Sequence, residues 1–277
     1  MKDNKKISRR IFLRYIPIGL IIGGLIGLFG NKILKLKFEN TKDEGLDSSL
    51  IEKYMLPLPK FTSNVFIEEA LAWRRSIRIY KDEPITMEHL SMLLWAAQGV
   101  TELKYRFKTA PSAGATYPLE LYIIVGDKRV IVNNEFYLPS GSYKYDYKIH
   151  AIKLVKEGDL RESLAEASLN QEWIKKASIN IVICALYERT TRIYGERGYR
   201  YVYMECGHVG QNVHLMATAL NLGAVVIGAF YDEQVKNVIN AEAKEHPLYI
   251  IPIGVPKEPY RITEKEISEY YEKVRKI

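Results

Sequence analysis

Two cysteines in 277 residues, Cys184 and Cys206, exclude a disulfide scaffold, and the absence of any Cys-x-x-Cys pair removes the signature of a zinc knuckle. At most one bridge could join them, and the sequence does not decide whether it does. No Gly-x-Gly-x-x-Gly follows a strand in the body of the chain and there is no Walker phosphate loop, which excludes the nucleotide sites built on those turns. A Gly-x-Ser-x-Gly elbow is also missing, so no hydrolase-type serine nucleophile is expected. Internal repeats are lacking. Beyond Lys37 there are no basic runs interleaved with aromatics. Residues 1–37 carry nine Lys or Arg against one acidic residue, leaving thirty-one basic and thirty-two acidic side chains for the rest of a chain whose total charge is +7. The excess positive charge belongs to the leader, and nucleic acid is not an expected partner.

The leader is organised. Arg9 and Arg10 precede an uncharged apolar segment from Tyr15 to Asn31, the order of a secretory n-region and h-region. Ser8-Arg9-Arg10-Ile11-Phe12-Leu13-Arg14 resembles a twin-arginine signal, which implies export of a folded protein. With no clear small-x-small cleavage site before Lys32, residues 1–31 are expected to serve as a signal or as an anchor. The apolar segment is at the short end of what spans a bilayer. Residues 32–60, polar with a "LPLPK" ending, are expected to be a linker, and 61–277 the folded domain.

Helix and strand signals alternate from Thr62 onward. Thr62 or Ser63 is expected to cap a helix carrying Phe66, Ile67, Ala70 and Leu71 on one face, and a second helix runs from Thr86 to Gly99 with Leu90, Leu93, Leu94 and Ala97 together. Leu119–Val125, Ile179–Leu186 and "LYIIPIGVP" read as buried strands, with short Tyr-rich extended pieces between Val130 and Leu154. A helix is expected near 159–168, another from Gly207 to Leu222, a strand at "AVVIGAF", a short helix capped by Asp232, and a charged helix from Thr263 to Ile277.

Three groups of residues bear on chemistry. Arg74-Arg75-Ser76-Ile77-Arg78 concentrates three guanidiniums at a helix end, a cost in self-repulsion that an anion such as phosphate, or a set of surface carboxylates, would offset. Lys257, just past the last core strand, offers a further cation. Pro111-Ser112-Ala113-Gly114 is a small-residue turn that either lets a flat ligand approach the backbone or simply avoids clashes. Glu205, Cys206, His208 and His214 include metal-ligand types, but positions six apart do not share a helix face, so no metal is expected.

In chain order, "RRSIRIY", "PSAGATYPLELYIIV", "YKYDYKIHAIKLVKEGDL", "RGYRYVYMECGHVGQNVHLMATALNLGAVVIGAF" and "PIGVPK" resemble the nitroreductase superfamily, in particular its SagB-type, thiazole/oxazole dehydrogenase-like branch, over roughly Phe66 to Pro259. The resemblance implies an α+β fold, a central mixed or antiparallel sheet flanked by helices, and a homodimer with FMN sites between subunits. It implies that Arg74, Ser76 and Arg78, with Arg75 beside them, hold the flavin phosphate, that Pro111, Ser112, Ala113 and Gly114 lie along the flavin, that Gly228 and Ala229 form a backbone turn over it, and that Lys257 assists at the phosphate. Azoline-oxidising members of the branch use a Lys-Tyr pair for proton transfer. The corresponding slot here reads Arg200-Tyr201, and a guanidinium is a poor base. Gly207, His208 and Gln211 also match the branch pattern, with a supporting or a helix-packing role. The expected activity is two-electron transfer through FMN to or from a small molecule, outside the cytoplasm or tethered to the membrane's outer face. The alternatives are an azoline-to-azole peptide dehydrogenase and a tethered flavin-binding electron-transfer protein.

Overall fold

The computed structural model describes residues 53–133 and 136–276. The leader, residues 32–52 of the expected linker and Ile277 lie outside the described residues. In chain order the elements are β1 (Lys53–Met55), α1 (Ile67–Trp73), β2 (Ile85–Thr86), α2 (Met87–Gln98), a 3-10 turn (Ala113–Ala115), β3 (Leu119–Val125), β4 (Val130–Asn133), β5 (Phe136–Tyr137), β6 (Gly141–Asp146), β7 (Ala151–Glu157), α3 (Arg161–Glu166), α4 (Glu172–Lys176), β8 (Ile179–Ala185), α5 (Glu188–Tyr194), α6 (Arg197–Ala219), β9 (Gly223–Ala224), α7 (Asp232–Ile239), β10 (His246–Gly254) and α8 (Glu264–Val274).

Strands β3, β8 and β10 are apolar on both sides because both faces of the sheet are covered. They form the middle of an antiparallel sheet ordered β1-β7-β6-β3-β8-β10-β9. The register pairs Leu119 with Ala185 and Val125 with Ile179. Alternation then sorts the side chains. Leu119, Leu121, Ile123, Ile179, Ile181 and Ile183 join the layer of α2 and α6, whereas Tyr122, Ile124, Val182 and Cys184 join the layer of α3, α4 and α7. Each fully buried Leu or Ile contributes roughly 1.5–3 kcal/mol, so these two layers dominate the stability. Helix α2 starts where expected: Thr86 Oγ1 accepts from the His89 N–H at 3.2 Å and His89 Nδ1 from the Thr86 N–H at 3.3 Å. A small separate sheet, β2-β4-β5, closes over its start.

The structure departs from the sequence expectations at five places. The sheet begins inside the stretch expected to be linker: β1 pairs with β7, Tyr54 meets the Tyr143 ring edge-on at 5.8 Å, and Leu56 is buried. Helix α1 starts at Ile67 rather than at a Thr62 or Ser63 cap, because the Glu69 carboxylate reaches back to the Phe66 N–H at 2.9 Å while Ser63 is occupied with the Val65 N–H. Helix α6 starts ten residues before Gly207 and takes in Tyr201 and Glu205. The "AVVIGAF" run is a strand only at Gly223–Ala224, touching β10 again at Ile227, which exchanges bonds of 2.8 and 3.0 Å with Ile250. Pro252 stands opposite Val225 and has no N–H for that ladder, so pairing cannot continue. Asp232 opens α7, but the cap position is Tyr231.

Candidate active site

Residues 74–81 run extended between β9 and the chain leaving β10. Ser76 pairs with Ala224, the Ile77 N–H donates to the Ala224 carbonyl at 2.9 Å, and the Lys81 N–H to the Val255 carbonyl at 2.8 Å. Only glycine allows this approach at position 223, where a Cβ would lie 2.7 Å from Ile77 Cγ2. The Lys257 N–H donates to the Ile79 carbonyl at 3.0 Å, so the late lysine, which the spacing could not place, is stitched to the arginine segment. Arg75 turns to the other end of the chain's course, towards Tyr260. Its guanidinium lies 4.0 Å from the Tyr260 ring centre and donates to the Ala72 and Arg74 carbonyls. Arg78 lies over Trp173 at 5.4 Å. Among the described residues Arg74, Arg78 and Lys257 form no ion pair. Arg74 instead faces His214 on α6, where burial first and the guanidinium second push the imidazole down to about 4 and keep it neutral.

The Pro111–Gly114 turn is built on unusual backbone. Gly114, Ala115 and Tyr117 all have positive φ, at 59°, 52° and 45°. Left-handed alanine and tyrosine cost roughly 1 kcal/mol or more each, and such strain concentrates at functional loops. Side chains hold the shape: Ser112 Oγ accepts from the Tyr117 N–H at 2.9 Å, and Thr116 Oγ1 donates to the Ala113 carbonyl at 3.0 Å. A Cβ on Gly114 would sit 2.7 Å from Tyr194 Oη, and the Tyr194 ring meets Tyr201 edge-on at 5.1 Å. The turn, the end of α5 and the first turns of α6 therefore converge.

Behind the turn lies a buried polar cluster. Lys108 Nζ donates to Gln98 Oε1 at 2.7 Å and stands 3.5 Å from the Tyr147 ring centre. Burial drives this lysine down to about 8, opposed by the Glu120 and Glu205 carboxylates. Glu205 follows Tyr201 by one turn of α6 and is 2% exposed. Burial pushes its carboxyl up to about 7, while Ser112, Lys108 and Gln98 favour the ionised form.

The other expected residues are spread along α6. Tyr249 lies between Gly210 and Gly228, with the positions of their absent Cβ atoms 3.5 and 3.7 Å from its ring, which sets the Gly228-Ala229 turn beside the middle of the helix. His214, near Arg74, is nine residues beyond Glu205, about 14 Å along the axis. Arg200 does not join Tyr201: it lies with Met204, Gly207, His208 and Gln211 on an exposed stripe, so within this chain those residues do not pack a helix. The sequence pattern does not mark Lys108, Gln98 or Tyr194, and it marks Glu205 only as a metal-ligand type. The signal that marks Glu205 is its i, i+4 spacing from Tyr201, visible once α6 is known to begin at Arg197.

An antiparallel central sheet with helices in both layers, an Arg-x-Ser-x-Arg segment paired to its edge and a strained small-residue turn define a nitroreductase-type fold. The nitroreductase family profile matches residues 71–255, and the chain belongs to that family. It is 48% identical over 188 residues to a protein of Methanocaldococcus jannaschii named as a nitroreductase, covering 68% of this chain and 90% of that one. It is 27% identical over 139 residues to the microcin B17-processing protein McbC of Escherichia coli, 48% of each chain, so it spans about half the length of that relative. Among solved structures, a nitroreductase from Ralstonia eutropha superposes with a TM-score of 0.64 at 25% identity, over 74% of this chain and 90% of that one. A chain of the E. coli microcin synthetase McbBCD complex superposes at 0.57 and 21% identity, over 91% of this chain and 99% of that one, a likeness of fold.

Proposed function

We propose that this nitroreductase-family oxidoreductase is FMN-dependent and works as a homodimer on a small-molecule substrate. The observation that carries the reading is the backbone pairing that brings the chain at Lys257 alongside the Arg74–Arg78 segment, whose Arg74 and Arg78, like Lys257, have no carboxylate partner among the described residues, which fits a phosphate. The Pro111–Gly114 turn adds backbone that a planar ring can approach, with Tyr194 and Tyr201 at its side. When bound, the flavin supplies the two-electron chemistry, and the protein supplies orientation and charge. In that scheme Arg74 and Arg78 hold the phosphate, Ser76 adds a hydroxyl, and the turn sets the ring's distance from the main chain. Tyr201, whose ring meets that of Tyr194 beside the turn, is the hydroxyl on α6 that would hold or pass a proton to substrate. A partner subunit is supported by α1, where Ala70 is buried but the three large residues of the expected buried face are not: Phe66, Ile67 and Leu71 are 73%, 58% and 53% exposed.

A second reading, oxidation of an azoline in a peptide, is supported by the likeness to McbC. Against it, Arg200 stands where that chemistry needs a base and faces away from Tyr201. The deciding experiment is the visible absorbance spectrum of the purified protein, with the released chromophore identified by mass. Bound FMN is expected. A colourless protein that also fails to bind added FMN overturns the proposal. Turnover of an azoline peptide to the azole would replace the small-molecule reading with the second one.

A further inference from the structure

We propose that Glu205 is the charge-compensating acid of the Pro111–Gly114 site: a buried carboxyl, ionised beneath a neutral ligand, that takes up one proton when the ligand over the turn becomes anionic. The inference rests on the reading that a flavin lies along that turn.

Among the described residues Glu205 Oε1 and Gln98 Nε2 make no hydrogen bond of normal geometry, although the Ser112 hydroxyl and the Gln98 amide stand close enough to favour the ionised carboxylate. Both belong to residues at most 2% exposed. Buried polar groups are nearly always satisfied, and a pair left open beside a loop marks a network that has room for a proton. The cation that could neutralise Glu205 is held one step away, since Lys108 Nζ is committed to Gln98 Oε1 at 2.7 Å and forms no ion pair with the carboxylate. Every element around Glu205 contributes a group: Gln98 from α2, Lys108 from the segment before the turn, Ser112 from the turn, and Cys206 on α6 itself. Lys108 is in turn set by Tyr147 and Tyr117 beneath it and by Glu120, Arg189 and Lys148. With Glu205 near 7 and Lys108 near 8, a modest field changes the state of either.

Ser112 connects the carboxyl to the ligand side, for it belongs to the turn and its hydroxyl favours the ionised carboxylate. By Coulomb's law at an effective dielectric near 20, a unit negative charge placed about 7 Å from a carboxyl would raise its proton affinity by about one to two pH units, and that is the shift expected of Glu205. One proton from solvent then converts carboxylate to carboxylic acid, no electron resides on Glu205, and the net charge behind the turn rises by one as that in front falls by one. Glu205 acts through this field, as a positioning residue, and does not touch substrate.

The test is infrared difference spectroscopy on the FMN-loaded full chain, before and after reduction with dithionite, across pH. The carboxylic-acid stretch that Glu205→Gln removes is expected to titrate near pH 7 and to move up by about one to two units on reduction. Glu205→Asp should retain a titrating band. Absence of such a band, or a midpoint that ignores reduction, overturns the inference while leaving the flavin reading in place. A chain that binds no FMN overturns the flavin reading and this inference with it. Should Glu205→Gln fail to fold, proton uptake by the wild-type chain decides: where the spectrum of the reduced bound flavin is that of the anion, uptake near neutral pH should exceed the one proton that the anion accounts for, and uptake of one proton refutes the idea.

Discussion

Replacing Gly114 with alanine tests the turn most directly, because the two costs of a methyl there can be separated. The first is backbone: φ of 59° is left-handed, which costs an L-residue roughly 1 kcal/mol or more. The second is contact, with the new Cβ 2.7 Å from Tyr194 Oη and the next ring atoms at 3.4 Å. Tyr194 is 36% exposed, so its ring can swing out at about 0.5–1.5 kcal/mol for leaving its rotamer, without moving backbone. Gly114→Ala should therefore lower stability by about 2 kcal/mol and break the edge contact between Tyr194 and Tyr201. Tyr194→Phe removes the one atom that clashes. In that background the alanine should cost only its backbone share, a coupling of about 1 kcal/mol in a urea-unfolding double-mutant cycle. Strict additivity of the two changes, or a neutral Gly114→Ala, would refute the geometry of the turn.

Four further outcomes are expected. Arg74→Ala with Arg78→Ala should lower FMN affinity at least tenfold per guanidinium through loss of charge-assisted bonds, as read by equilibrium dialysis; unchanged affinity would move the phosphate elsewhere. Two buried groups should oppose one another in the pH dependence of stability. His214, held down near 4, makes the fold gain stability as pH rises towards 6.5, and Glu205, raised to about 7, makes it lose stability as pH rises from 4.5 to 7, each by about 3 kcal/mol. The wild-type curve should thus be nearly flat between pH 4.5 and 6.5, Glu205→Gln should expose the rising limb and His214→Gln the falling one, and a steep wild-type curve with flat variants would contradict both assignments. Ile67→Asp with Leu71→Asp should convert a dimer to monomer in sedimentation velocity; a dimer that survives lies on another face. For residues 1–31 we propose twin-arginine export, which Arg9→Lys with Arg10→Lys should block in a cell-fractionation assay.

The central strands were legible because their apolar runs have strand length and turn-forming flanks, and β3 and the long final strand fall where the sequence places them. Helix α2 was legible from its Thr cap and leucine spacing. The start of α6 was not, because the residues it buries there include Glu205, while Tyr199, Tyr203 and Met204 face out, reversing the usual polarity of an amphipathic pattern. The outward face of α1 is illegible for a related reason: Phe66, Ile67 and Leu71 have core spacing, yet among the described residues they remain more than half exposed. At the site, the arginine segment and the turn were visible as composition, whereas the Lys108–Gln98–Glu205 cluster joins residues from three parts of the chain and exists only after folding.

Cys184 and Cys206 are separated by the sheet itself, one thiol in each of its two layers, and both are free. Burial pushes Cys206 up to about 12 and Cys184 well above its ordinary value, so neither presents a thiolate to an oxidant. The covalent framework is therefore indifferent to ambient redox poise. Carried through a reducing cytosol or an oxidising exterior, the domain keeps one set of bonds, and the readiness of its site to exchange electrons is insulated from the state of its own sulfur.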